Sequence, residues 1–338
     1  MLRLRRATVT VAGPPDAVEQ RLAIHIGEQR RTAIADVALV GPSQAGDEVI
    51  VNVEAVELGL GSGGADVVHV NLTRGLDGAG TAGAHVMKLN YTSLQHAVLP
   101  VEEGVADATP PAPELPLGRP AAVLALHGQL APLAWAFAAA TDGAGRLGYI
   151  QTAGGALPGG HSCVVRELRE AAMLAGHLTA GPAFGGADGE AITTAAALHH
   201  GFRELGWEAA VAGPGPGILG SGSALGHGGL QALDSAHTAL ALGCPTLLVA
   251  RMSSTDPRER HRGISHHTRT VLDLLLAPVC VAIPVGVTPA DERHDWRALD
   301  ADLDGYAASG LPTRSMGRED PLFFAAALSA GRALADLT

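Results

Sequence analysis

Hydrophobic and polar positions alternate with a period of two through the first hundred residues. Leu22, Ile24 and Ile26 alternate with Ala23 and His25, and Val49, Val51 and Val53 alternate with Ile50, Asn52 and Glu54. The pattern predicts short strands over 3–12, 20–26, 30–40, 47–56, 66–72 and 84–90, with turn signals such as Gly46-Asp47 between them. Several short strands at regular spacing indicate a small β-barrel or β-sandwich over residues 1–100. Within it, Glu54-Ala-Val-Glu-Leu-Gly-Leu-Gly-Ser-Gly-Gly64 reads either as a glycine-rich hairpin or as a flap over a neighbouring crevice. Residues 101–120 break the pattern. Prolines at 110, 111, 113, 116 and 120 forbid a helix, and the segment is expected to be a stiff linker.

From residue 121 the period switches between two and 3.6. Strands are expected over Ala121–Leu126, Leu147–Gln151, Leu178–Ala180, Glu208–Ala212, Thr246–Ala250 and Val279–Pro284. Between them fall helices over Leu130–Thr141, Cys163–Ala175, Glu190–Leu205, Gly229–Leu242 and Ser265–Leu276, and Pro321–Leu337 closes the chain. This alternation predicts a doubly wound, mostly parallel α/β domain over residues 121–338. In such sheets ligands sit beyond the carboxyl ends of the strands, so the loops there carry the functional weight.

Those loops are rich in glycine and histidine. His127 ends the first strand, and Gly154 and Gly155 follow the second. Gly185, Gly186 and Asp188 follow the third, where Asp188 is either a helix cap or a carboxylate facing the crevice. The fourth loop carries Gly213, Gly215, Gly217, Gly220, Ser221, Gly222 and Ser223. Gly215-x-Gly217-x-x-Gly220 formally fits a dinucleotide fingerprint, but Pro214 and Pro216 remove two amide donors and Arg251 ends the next strand in place of an acid. An anion or phosphate cradle and a purely structural turn are the other readings of that loop. The fifth loop holds Arg251, Asp256, Arg258, Arg260, His261, Arg262, Ser265, His266 and His267. Ser265 is placed to cap a helix with His266 and His267 in its first turn, where an anion is welcome and a neutral imidazole can act as base or ligand. Adjacent helical histidines diverge by about 100°, which argues against both ligating one metal; metal and cofactor are left open.

Taken together, His266, His267, His261, Asp188 and Asp256 are the candidate catalytic groups. Arg251, Arg260, Arg262, Ser265, His127 and the loop glycines and serines are the candidate anion contacts. Ser162 has no GxSxG elbow around it, which argues against a hydrolase nucleophile.

Composition narrows the partners. The 338 residues carry a formal net charge of -11 and only 3% aromatics, which argues against nucleic acid as the main partner. No stretch reaches the length of a membrane span, and Met1-Leu-Arg-Leu-Arg-Arg leads into alternation rather than an apolar signal core, so a cytoplasmic protein is expected. Three widely spaced cysteines, Cys163, Cys244 and Cys280, read as buried free thiols. The expected partners are a small anionic metabolite and a second copy of the chain.

Four motifs together resemble a bacterial family catalogued only as a domain of unknown function: Val56-Glu-Leu-Gly-Leu-Gly-Ser-Gly-Gly, Phe184-Gly-Gly-Ala-Asp, Gly213-Pro-Gly-Pro-Gly-Ile-Leu-Gly-Ser-Gly and Asp256-Pro-Arg-Glu-Arg-His-Arg-Gly-Ile-Ser-His-His-Thr. The resemblance spans nearly the whole chain and implies no activity. The expected function is an enzyme, a hydrolase or group transferase, acting on a small anionic, phosphorylated or nucleotide-like substrate. A non-catalytic metabolite-binding module and a self-assembling scaffold are the alternatives.

Overall fold

The computed structural model describes residues 1–15, 18–60, 62–102 and 112–338, and the chain divides into two compact units, Met1–Val98 and Leu99–Thr338. Much of the proline-rich linker expected over 101–120 lies outside the described residues. On either side of that gap the chain belongs to the second unit: Val101 N–H donates to Glu190 O and Leu117 N–H to Leu242 O, each at 2.9 Å.

In the first unit β1 (Leu4–Ala12), β2 (Glu19–Ile26), β3 (Gln29–Asp36), β4 (Glu48–Asn52) and β5 (Asp66–Asn71) close into a barrel in the order β1-β2-β3-β5-β4. The alternation sends Val9, Leu22, Ile24, Ala33, Ala35, Val49, Val51 and Val68 inward. Register shifts at Val9/Val11 and Ile50/Val51 supply the bends that closure needs. The third expected strand stops at Asp36 because that carboxylate accepts from Ala38 and Leu39 N–H and starts the helical turn α1 (Val37–Val40). The glycine-rich segment at 54–64 joins the antiparallel pair β4 and β5 as a hairpin connection, holding the turn α2 (Glu54–Glu57) and a 3-10 turn at Ser62–Gly64, with Gly61 outside the described residues. The expected strand at 84–90 is not a barrel stave; among the described residues β6 (Val86–Lys88) pairs only with β7 (His96–Val98).

The second unit holds an all-parallel, eight-stranded sheet. Its strands are β8 (Ala121–Val123), β9 (Leu147–Thr152), β10 (Gly176–Ala180), β11 (Glu190–Ala191), β12 (Ala209–Pro214), β13 (Thr246–Val249), β16 (Cys280–Pro284) and β17 (Asp295–Leu299). They run in the order β11-β10-β9-β12-β8-β13-β16-β17. A short antiparallel ribbon, β14 (Met252–Ser253) with β15 (Gly263–Ile264), stands beyond β13.

Successive strand residues face opposite layers. Ala122, Val211, Leu247 and Ala282 pack under α3 (Leu130–Ala140), α4 (Cys163–Glu170), α8 (Leu303–Ala308) and α9 (Pro321–Ala335). On the other face, Ile150, Ala210 and Ala212 meet α5 (Thr194–Arg203) and α6 (Gln231–Ala241), while Val123, Leu248 and Val281 meet α6 and α7 (His266–Leu274). Three glycines make room for the fully buried Trp207: a Cβ on Gly148, Gly176 or Gly201 would lie 2.0, 2.9 or 2.3 Å from its ring. Among the described residues no helix is long and apolar enough to cross a membrane.

Candidate functional site

After β8 the chain runs outward through β9, β10 and β11, returns to insert β12 beside β8, and then runs the other way through β13, β16 and β17. The direction reverses around β12, β8 and β13, and the ligand crevice of an open parallel sheet forms outside the carboxyl ends at such a reversal. Pro214, His127 and Arg251 lie at or just past the ends of those three strands.

The segment after β13 folds back on itself. β14 and β15 pair, Ser265 N–H donates to Arg251 O at 2.9 Å, and Asp320, ahead of α9, accepts from Ser254 N–H at 2.9 Å and from the Ser253 hydroxyl. Ser265 caps α7, its hydroxyl oxygen accepting from His267 N–H at 3.3 Å. The fold-back sets Arg251 Nη1 at 2.8 Å from His267 Nδ1. A guanidinium only donates, so Nδ1 accepts and the neutral ring carries its proton on Nε2. Asp256 is fully buried and accepts from Arg258 Nε at 2.9 Å, Arg258 Nη2 at 2.8 Å and Arg318 Nη2 at 3.1 Å, with Arg251 Nη2 3.6 Å away. The Arg258 hydrogen bond, more than any other contact, holds the Asp256 carboxyl well below the usual carboxylate range. Burial lowers Arg251 to about 10, which leaves it charged at neutral pH.

A fourth histidine joins from the loop after β12. The backbone pairs Gly220 with His227, and the His227 ring stacks on His267 with centroids 3.6 Å apart and planes 10° from parallel. His266 lies 5.8 Å from His227 and 4.8 Å from His261, whose Nδ1 is 2.8 Å from Ser265 Oγ. Burial, reinforced by the nearby arginines, lowers His267 to about 2 and His261 to about 4 and lowers His266 as well; burial and the neighbouring His266 lower His227. All four imidazoles are therefore neutral at pH 7, each with one N–H and one lone pair. Nε2 of His266 is buried without a hydrogen-bond partner. A buried polar atom of this kind is costly to leave unmet.

Donor atoms of His227, His266 and His267 lie within 4.8 Å of one another, which raises the question of a metal. A metal lies about 2.0–2.1 Å from each ligating nitrogen along an in-plane lone pair. Rings stacked at 3.6 Å with nearly parallel planes share no such point, and Arg251 already uses the lone pair of His267. The arrangement does not fit a metal held by all three.

The family model described as "Protein of unknown function (DUF3866)" matches residues 32–331. The chain belongs to the DUF3866 family. No curated protein and no solved structure matches it.

In this DUF3866 chain the other sequence-derived candidates fall into three groups. Asp188 does not cap a helix: Thr193 caps α5, and Glu190–Ala191 are β11, so the expected helix start at 190 moves to Thr194. Asp188 accepts from His177 N–H at 2.7 Å and pairs with Arg169, and none of these partners is a histidine of the cluster. His127 is buried and bonded at both ring nitrogens. The glycines divide by what a Cβ would meet. At Gly154, Gly155, Gly186, Gly213 and Gly215 it would lie 2.1–2.6 Å from a neighbouring atom, so these are close-packing positions. At Gly217, Gly220 and Gly222 it meets nothing within 4 Å, and at Gly185 nothing nearer than 3.8 Å. Ser221 and Ser223 use their hydroxyl oxygens on the N–H groups of Ser223 and Leu225, within their own turn. Arg260 and Arg262 are exposed, Arg262 Nε reaching Asp256 O at 3.1 Å. Cys163 is also exposed, against expectation, because it opens α4; Cys244 and Cys280 are buried and raised to about 11 by that burial. Sequence reading did not single out His227, Arg318 or Asp320. For His227 the available signal was its place in Gly226-His-Gly-Gly directly ahead of α6.

Proposed function

We propose that this chain is a cytoplasmic hydrolase or group transferase that binds a small anionic, phosphorylated or nucleotide-like substrate at the Arg251–histidine cluster. The observation that carries the reading is the pairing of a buried, charged Arg251 with a cluster of neutral imidazoles in which His266 Nε2 is buried without a partner. Three further arginines near Asp256 or the histidines make the surroundings electropositive, which favours an anion over a cation. In this reading Arg251 and imidazole N–H groups, that of His267 among them, hold the anion, and His266 passes the proton. The open backbone at Gly217, Gly220 and Gly222 adds amide donors.

Thermal unfolding with inorganic phosphate, pyrophosphate, nucleotides and sugar phosphates tests it. A ligand at about a hundred times its Kd stabilises the folded state by roughly 2.7 kcal/mol. The expected result is stabilisation by at least one of these anions, lost in Arg251→Met. Absence of any shift, or an equal shift in Arg251→Met, overturns the reading. For a stabilising ligand, turnover that vanishes in His266→Ala while binding persists separates catalysis from sensing.

A further inference from the structure

A second constellation stands at the same end of the sheet, built from different residues. Ser162 follows the 3-10 turn Gly159–His161 and caps α4. The turn is pinned by Gly159 N–H to Phe184 O at 2.7 Å, and a Cβ on Gly159 would lie 2.8 Å from His177. Ser162 Oγ accepts from Val165 N–H at 3.2 Å and lies 2.8 Å from His127 Nε2. On the far side of that ring, Nδ1 lies 3.2 Å from Pro214 O and 3.3 Å from Tyr149 Oη. Tyr149 Oη itself donates to the Gly213 and Pro214 carbonyls, at 3.1 and 3.0 Å. With the tyrosine proton committed there, His127 Nδ1–H donates to Pro214 O and Nε2 keeps a lone pair for the Ser162 hydroxyl. The result is a hydroxyl, a base and an orienting carbonyl within hydrogen-bond reach of one another, from the loops after β9 and β8 and the end of β12. A capping serine needs only to accept from the helix; this one also aims its proton at an imidazole lone pair. The hydroxyl is buried, but the next residue, Cys163, is exposed.

We propose that Ser162 is an acyl-accepting nucleophile, with His127 as its base, acting on a small ester. Ser162 Oγ bonds to the ester carbonyl carbon while its proton passes to His127 Nε2. The bond from that carbon to the leaving alkoxide then breaks, and the alkoxide takes the proton from His127. Water, deprotonated by His127, attacks the acyl carbon, releases the carboxylic acid and returns the proton to Ser162. The N–H groups of Cys163 and Val164 open α4 without intrahelical acceptors and lie beside the nucleophile, where the carbonyl oxygen gains charge. The proposal does not depend on the Arg251 cluster.

The test is 4-nitrophenyl acetate with the full chain, followed by peptide mass spectrometry. The expected result is a burst of nitrophenolate with one acetyl group on Ser162. Ser162→Asn keeps a capping side chain, removes the nucleophile and abolishes the adduct. His127→Gln keeps a polar partner for Ser162, removes the base and slows acetylation by about 100-fold or more. No adduct on Ser162 in the folded parent, acetylation of Cys163 in its place, or an unchanged rate in His127→Gln overturns the proposal.

Discussion

Asp256→Asn isolates the interaction that holds the Arg251 loop together. The carboxylate is fully buried and faces three guanidinium groups. Arg258 and Arg318 have side chains 44% and 31% exposed, so water takes over their solvation when the carboxylate is neutralised. Arg251, with 4% of its side chain exposed, has no such recourse. Removing one partner of a buried pair costs about 3–5 kcal/mol. With one stranded cation and an amide that retains some acceptor capacity, the lower end, about 3 kcal/mol, is expected. For a unit of this size that is a fall in Tm of roughly 6–12 °C.

The assay is tryptophan fluorescence during thermal and denaturant unfolding. The 3 tryptophans, Trp135, Trp207 and Trp296, all lie in the second unit, so the signal reports on it without interference from the barrel. Acid gives an internal check. The folded Asp256 carboxyl sits below its unfolded value, so its stabilisation is present above about pH 4 and is lost as pH falls toward the folded value. Parent and Asp256→Asn stabilities should converge in acid. Inorganic phosphate should rescue the variant more than the parent, because it supplies the missing counter-charge. A loss below about 1 kcal/mol at pH 7 refutes the claim that Asp256 is what keeps Arg251 buried and charged.

Three further outcomes follow from the same kind of reasoning. Asp47 in the barrel is lowered to about 2, chiefly by its hydrogen bond from Arg74, so barrel stability is expected to hold above about pH 4 and to fall between pH 4 and 2. Methyl NMR of Val49 and Val51 follows it, and Asp47→Asn should flatten that decline. Gly148→Ala places a methyl 2.0 Å from the Trp207 ring and is expected to cost at least about 1–3 kcal/mol, with a shifted tryptophan emission; a change within roughly 0.5 kcal/mol contradicts the packing account. Burial lowers His127 to about 4, so its lone pair is available throughout the neutral range. Acetylation of Ser162 should therefore be independent of pH from about 5.5 to 8, whereas a rise centred near the ordinary imidazole value of about 6.5 shows that another group is the base.

What was legible in the sequence follows from which forces leave a periodic trace. Buried strands and amphipathic helices announced themselves because one face or both meet a core, as with β12 and α5. β17 did not, since Asp-Trp-Arg-Ala-Leu on a sheet edge is half polar and has no buried face to impose alternation. The helix expected to reach Ala175 ends at Glu170 because Ala172 adopts φ 55°, which apolar composition does not reveal. The same logic governs the site. Arg251, Asp256, His261, Ser265, His266 and His267 were found because they are close in sequence, and the β14–β15 fold-back keeps them close in space. His227 and Arg318 come from segments remote in number, ahead of α6 and ahead of α9, and only the folded chain brings them in. His127 and Ser162 are separated in the same way, and a motif search built on contiguous residues passes over such a pair.

The glycine loop shows where sequence reading must defer to packing. A glycine is required equally by a phosphate that approaches the backbone and by another strand of chain that does so. Gly155 and Gly215 answer to the second cause, since a Cβ on Gly155 would sit 2.1 Å from Gly215 O. Gly154 and Gly228 are locked together in the same way, at 2.6 and 2.0 Å. These contacts fasten the loop after β9 to the loop after β12, so the glycines there serve rigidity. Gly217, Gly220 and Gly222 have no such neighbour, and Gly220 is paired with His227. Open backbone in this loop is thus found at its tip, beside His227, and not at its base.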